Sequence, residues 1–207
     1  MSLQDARERF SDKGLAIDQQ LKPAPSVAEG TIDRICFVGF MGAGKTTVGR
    51  LVAQRLQCRF VDLDDRICQR EQREIADIFR DSGEPYFRRV ESECLLALVQ
   101  EAAAAGSLGL APLVIAVGGG AFVQPSNAEL LREYGFKCVF LDASVEELRR
   151  RCASGGPERP LFHDENLFRQ LYEARRSAYM AAEMRVDTGG KTPEQVVEEV
   201  LDLGLRL

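Results

Sequence analysis

Gly39-Phe40-Met41-Gly42-Ala43-Gly44-Lys45-Thr46 decides the fold. It fits G-x-x-x-x-G-K-[ST], the loop that cradles phosphates. The apolar run Ile35-Cys36-Phe37-Val38 before it reads as a buried parallel strand. After it, Val48, Leu51, Val52 and Leu56 recur at helical spacing. Strand, loop and helix in that order are the context the motif needs. The glycines let backbone N–H groups converge on phosphate oxygens, and the helix N-terminus adds partial positive charge there. Backbone from Gly42, Ala43 and Gly44, with Lys45, Thr46 and Thr47, forms the expected nucleoside-triphosphate site. Lys45 can reach the outer phosphates, and the Thr46 hydroxyl can ligate Mg²⁺.

The pattern repeats outward from that loop. Arg59-Phe60-Val61-Asp62, Leu113 to Val117, Cys138 to Leu141 and Met184 to Asp187 read as further strands. Helical segments separate them: one from Asp65 onward, Glu74 to Arg80, Pro85 to Gly106, Asn127 to Tyr134, one opened by the capping box Ser144-Val145-Glu146-Glu147, Leu167 to Met180, and one capped by Thr192-Pro193. In the long helix, Phe87, Val90, Cys94, Leu95, Leu98 and Val99 share a face. Leu167, Leu171 and Ala174 do so in the later one, and Val196, Val197, Val200 and Leu201 point inward in the last. Alternating apolar strands and amphipathic helices predict an α/β fold, a parallel sheet with helices on both faces. Ligands of such sheets bind beyond the carboxyl ends of the strands. Residues 1–30 stand apart as a polar, partly helical N-terminal extension ending in a Pro-rich linker, and the domain spans 31–207.

Composition narrows the function. The chain has 207 residues, 45% hydrophobic and 29% charged, with a net charge of −5. No basic stripe appears, which argues against a nucleic-acid partner. The cluster Arg149-Arg150-Arg151 reads as the cationic last turn of a helix. Six cysteines form no C-x-x-C pair and His163 is the only histidine, so the spacing of zinc and iron–sulfur sites is missing. Free thiols, and the lack of a secretory or membrane-spanning run, point to a cytoplasmic protein.

A phosphate loop leaves the acceptor unnamed. Asp62 and Asp64 alternate at a strand end and so point different ways, one toward the metal and one toward the acceptor, or else both cap a helix. Arg88, in Phe87-Arg88-Arg89-Val90-Glu91, could grip a carboxylate bidentately, or be a surface arginine paired with Glu91. Gly118-Gly119-Gly120 lets backbone approach a ligand closely. Arg159, in a Gly/Pro-bounded segment, could neutralise a transferring phosphoryl group from a lid. Arg175 and Arg176 precede Tyr179 on a helix, where a solvated face is the plain reading.

Together, Gly-Phe-Met-Gly-Ala-Gly-Lys-Thr-Thr-Val-Gly, Phe-Val-Asp-Leu-Asp-Asp-Arg-Ile, the segment from Ile78 to Glu91, Val-Gly-Gly-Gly-Ala, Arg-Pro-Leu and Arg-Arg-Ser-Ala-Tyr resemble the shikimate kinases, from about residue 34 onward. The resemblance implies a five-stranded parallel sheet of order 2-3-1-4-5 with a mobile lid. It implies transfer of the ATP γ-phosphoryl group to the 3-hydroxyl of shikimate, with Mg²⁺ as cofactor and the protein acting as a monomer. Carried over by motif, Lys45 and Thr46 hold phosphates and metal, and Asp62 supports the metal through water. Asp64 binds the shikimate hydroxyls and is the candidate base. Arg88 and Arg175 hold the carboxylate, Gly119 and Gly120 line the pocket, and Arg159 is the lid arginine. Arg175 is preferred to Arg176 because it stands four residues before the tyrosine. Arg151 is the adenine partner, although it lies about one residue further from Arg159 than in the family. Two other readings are a kinase for gluconate or a nucleoside monophosphate, and a paralogue that binds without transferring.

Overall fold

The strands that carry no polar face lie in the middle of the sheet, and those that mix charge with apolar residues lie at its edges. The computed structural model describes residues 34–107, 112–154 and 164–204. Its strands are β1 (Arg34–Val38), β2 (Arg59–Asp62), β3 (Leu113–Ala116), β4 (Lys137–Asp142) and β5 (Met184–Asp187). They form one parallel sheet in the order β2-β3-β1-β4-β5. This is the α/β architecture and strand order expected above. β3 is buried throughout and β1 from its second residue on, whereas β2 exposes Arg59 and only half-buries the rest, and β5 exposes Arg185 and Asp187. Both faces of a parallel sheet are covered by crossover helices, so only continuously apolar segments can occupy its centre.

The helices are α1 (Lys45–Arg55), α2 (Leu63–Glu71), α3 (Ile75–Ser107), α4 (Pro125–Glu133), α5 (Val145–Ser154), α6 (Glu165–Tyr179) and α7 (Pro193–Asp202). α3 is two helices run together. The backbone breaks at Gly83, at φ 79° and ψ 168°, and Pro85 reopens the helix where a missing N–H costs nothing. Phe79 and Phe87 pack across the break with centroids 4.5 Å apart. Beyond it, Phe87, Val90, Cys94, Leu95, Leu98 and Val99 are all buried, as the spacing predicts.

α6 departs from the reading. Leu167 and Ala174 are exposed, and the inward face is Phe168, Tyr172 and Tyr179. The rings of Phe168 and Tyr172 meet Phe40 edge-on at 5.1 and 5.6 Å. Aromatic rings bury more surface than the small aliphatic face and gain from edge-to-face packing, so they decide the rotation of the helix. Phe40 belongs to the phosphate loop and is itself buried, which fastens α6 to that loop. α7 opens with a full capping box, Thr192 with Gln195, and buries Val196, Val197 and Val200, with Leu201 partly covered. Among the described residues, no helix is long and apolar enough to cross a membrane.

Candidate active site

The phosphate loop joins β1 to α1. Gly44 caps the helix in the left-handed region at φ 91°, so the first free N–H groups of α1 open toward the loop. Lys45 Nζ donates to the carbonyls of Gly39 at 2.9 Å and Phe40 at 3.0 Å, which lays the ammonium across the loop. A Cβ on Gly42 would stand 2.7 Å from the Leu148 carbonyl and 2.9 Å from Cys152 Sγ, so α5 closes one side of the loop.

Asp62 accepts a hydrogen bond at each of its carboxylate oxygens. Its Oδ1 accepts from the Asp64 N–H at 3.0 Å and caps α2. Its Oδ2 accepts from the Thr46 hydroxyl at 2.6 Å. A hydroxyl and a carboxylate held together beside a phosphate loop form a hard oxygen pair suited to Mg²⁺. That ion takes one or two protein oxygens and completes its shell with phosphates and water. Among the described residues no three His, Cys, Asp or Glu side chains gather into a metal cage, and such a site needs none.

The three arginines of α5 divide. Arg149 pairs with Glu165 and Arg150 with Glu147. Arg151 spans to the turn after β5, donating to Thr188 Oγ1 at 2.9 Å and to its carbonyl at 2.5 Å. It also donates to Glu147 Oε1 at 2.8 Å. The hydrogen bond from Arg150 and the added charge of Arg151 hold the Glu147 carboxyl down at about 2. The cluster is thus more than a cationic last turn.

A second cluster of site residues is built on the glycines after β3. A Cβ on Gly118 would lie 2.8 Å from Asp64 Oδ1 and 3.0 Å from Glu91 Oε1. One on Gly120 would come within 2.5 Å of the Arg88 guanidinium carbon. One on Gly119 would stand 3.6 Å from Arg175 Nη1, from the Tyr179 hydroxyl and from the Gly39 carbonyl. Bare backbone is needed here because side chains from α2, α3 and α6 all press on it, and because it borders the phosphate loop. Asp64 lies in the first turn of α2 and not in the strand. A turn of helix, not strand alternation, therefore separates it from Asp62. Tyr179 is fully buried and donates to the Gly119 carbonyl; burial pushes its phenol up to about 12, against the pull of Arg175.

Arg88 is not a solvated surface residue. Its Nη1 donates to Glu91 Oε2 at 2.9 Å, while Nε and Nη2 donate to Glu84 Oε1 at 3.1 and 3.0 Å. Glu91 is wholly buried, and Gln124 Nε2 donates to the same Oε2 at 3.0 Å. Its Oε1 receives no hydrogen bond from the described residues. Burial and the nearby Asp64 push the Glu91 carboxyl up, and Arg88 and Arg175 pull it back. Arg176 turns elsewhere, to Asp142 Oδ2 at 3.0 Å and the Tyr172 hydroxyl at 3.1 Å. Arg175 is therefore the one of the pair that reaches the glycine turn. Arg159 and the segment read as a lid lie outside the described residues.

Glu91 and Gln124 were not among the expected site residues. A signal for Glu91 was available: it stands four residues after Phe87 and four before Leu95, inside the apolar stripe of α3. An acid at such a position is buried by geometry and requires a partner. Gln124 had no such signal, because only the fold brings the end of the glycine turn against α3.

A family model described as shikimate kinase matches residues 41–203. A shikimate kinase of Persephonella marina is 39% identical over 168 residues, covering 81% of this chain and 96% of that protein. Among solved structures, the shikimate kinase from Aquifex aeolicus is 35% identical with a TM-score of 0.70, over 83% of this chain and 95% of that one. The shikimate kinase from Acinetobacter baumannii, in complex with shikimate, is 32% identical with a TM-score of 0.72, over 84% and 93%.

Proposed function

The chain belongs to the shikimate kinase family and phosphorylates shikimate with ATP; we propose that it does so at the 3-hydroxyl, with the phosphate loop and the glycine turn dividing the work. The observation that carries this reading is the convergence of Asp64, Arg88 and Arg175 on one turn that borders Gly39. Shikimate is a small acid bearing hydroxyl groups. Arg88 and Arg175 answer its carboxylate, and Gly119 and Gly120 leave room for its ring. Asp64 accepts from a hydroxyl and takes its proton as the oxygen attacks the γ-phosphorus and the bond to ADP breaks.

Phosphoryl transfer asks the protein mainly for position and charge stabilisation. The loop N–H groups and Lys45 hold the phosphates, and Arg151 with the turn after β5 meets the adenine. Thr46 directly, and Asp62 through water, would hold Mg²⁺, which would supply positive charge against the charge developing on the phosphates. Arg159 adds positive charge at the transferring group. Glu91 fixes Arg88 from behind. The enzyme works as a monomer in the cytoplasm.

ADP production by the full chain with ATP and Mg²⁺ tests the reading, with and without shikimate and with gluconate and nucleoside monophosphates as alternatives. Shikimate-dependent turnover is expected. Turnover on another acceptor, or ATP binding with no transfer to any of them, would replace it.

A further inference from the structure

Gln124 ends the turn that follows the glycines and immediately precedes α4. Its side chain does not stay at that helix. It crosses to α3, where Nε2 donates to Glu91 Oε2 at 3.0 Å, the oxygen that also receives Arg88 Nη1 at 2.9 Å. Glu91 is completely inaccessible to water, and among the described residues these two donors are its side-chain hydrogen-bond partners. A buried carboxylate keeps its charge only if donors replace the water it has lost. Arg88 is one such donor, but it is also the group that must grip a ligand. A donor that does not itself touch the ligand keeps Glu91 Oε2 hydrogen-bonded while Arg88 is being shared.

We infer that Gln124 is a positioning residue for acceptor binding: by donating to Glu91 it keeps that carboxylate a fixed seat for Arg88, and so sets the affinity for the acceptor's carboxylate. This rests on Arg88 being the carboxylate-binding arginine. Around Glu91 the charged and titratable groups are Arg88 on its own helix, Asp64 on α2, and Arg175 and Tyr179 on α6. Three of the four serve or border the acceptor. Gln124 does not ionise, and a neutral substitution there leaves the formal charge of the site unaltered.

The test compares wild type with Gln124→Met, which keeps the length of the side chain and removes its donor. The expected result is a rise in the shikimate KM of about threefold to tenfold, the net size of one ordinary hydrogen bond, with the ATP KM and kcat within about twofold. The acid limb of kcat/KM for shikimate should also move to higher pH, because a lost donor favours protonated Glu91. Gln124→Glu places a second carboxylate beside Glu91 and should move both quantities at least as far. It also keeps the test decisive where Gln124→Met fails to fold. Unchanged shikimate KM and an unmoved acid limb in a folded variant would overturn the inference, as would equal increases in both KM values. Absence of shikimate turnover in wild type would instead overturn the reading of Arg88 beneath it.

Discussion

The two halves of the proposed site are made in opposite ways. The nucleotide half is written in one continuous stretch, Gly39 to Thr46, and its geometry is mostly local backbone. The acceptor half draws Asp64 from α2, Arg88 and Glu91 from α3, Gly118 to Gly120 from the turn after β3, and Arg175 from α6. Its geometry depends on a buried acid between them. Local backbone withstands single side-chain changes elsewhere, whereas a site assembled from four elements transmits them. The same contrast separates the two arginines beside each half. Arg151 has neutral partners on Thr188 and a carboxylate on its own helix. Arg88 joins the exposed Glu84 to Glu91, an acid shut away from solvent.

Substitutions that touch one half should spare the other. The largest effect is expected for Lys45→Met, a loss of kcat of about a thousandfold with the shikimate KM nearly unchanged, since the ammonium acts on charge at the transferring phosphoryl group. Single-turnover measurement checks it, and near-normal transfer would remove Lys45 from the chemistry. Arg88→Ala should raise the shikimate KM by about a hundredfold and leave the ATP KM nearly as it was. Arg88→Lys should recover little of that loss, because an ammonium cannot reproduce the planar fork that reaches both Glu84 and Glu91. Equal effects on both substrates would mean that the halves are coupled.

A smaller and more diagnostic change is Gly120→Ala. The added methyl falls on the Arg88 guanidinium. An increase in the shikimate KM of about tenfold is expected as Arg88 shifts, with thermal stability lowered only modestly. The smallest effect is reserved for the nucleotide side. Glu147→Gln removes the carboxylate that Arg150 and Arg151 hold down at about 2. A depressed acid contributes stability above its ordinary value of 4.5, and that contribution disappears as pH falls through its folded value. The variant should therefore melt about 2–4 °C lower at neutral pH, with the gap closing as pH falls from about 5 toward 2. A gap independent of pH would show that the ionic clamp contributes nothing.

The sheet was legible because it follows from periodicity. A buried parallel strand must be apolar along its whole length, and Ile35 to Val38 and Leu113 to Val117 announce themselves in that way. The rotation of α6 was not legible from the same kind of pattern. Leu167, Leu171 and Ala174 are spaced as well as Phe168, Tyr172 and Tyr179, and only Phe40 waiting in the loop favours the aromatic face. The choice of Arg175 over Arg176 came from likeness to a family. What separates them physically is Asp142, the buried end of β4, which takes Arg176.

Residue order alone therefore determined the elements, the parallel α/β class and the phosphate loop, because each follows from local pattern, whereas the strand order came from likeness to a family. It also supplied the acceptor-side residues as separate fragments. Only the tertiary structure decided that Asp64, Arg88 and Arg175 meet at one glycine turn, that Glu91 lies in the dark behind them, and that Gln124 crosses from the next helix to reach it. The reason is that burial and long-range hydrogen bonding are properties of which surfaces face each other, and no spacing along the chain encodes that directly.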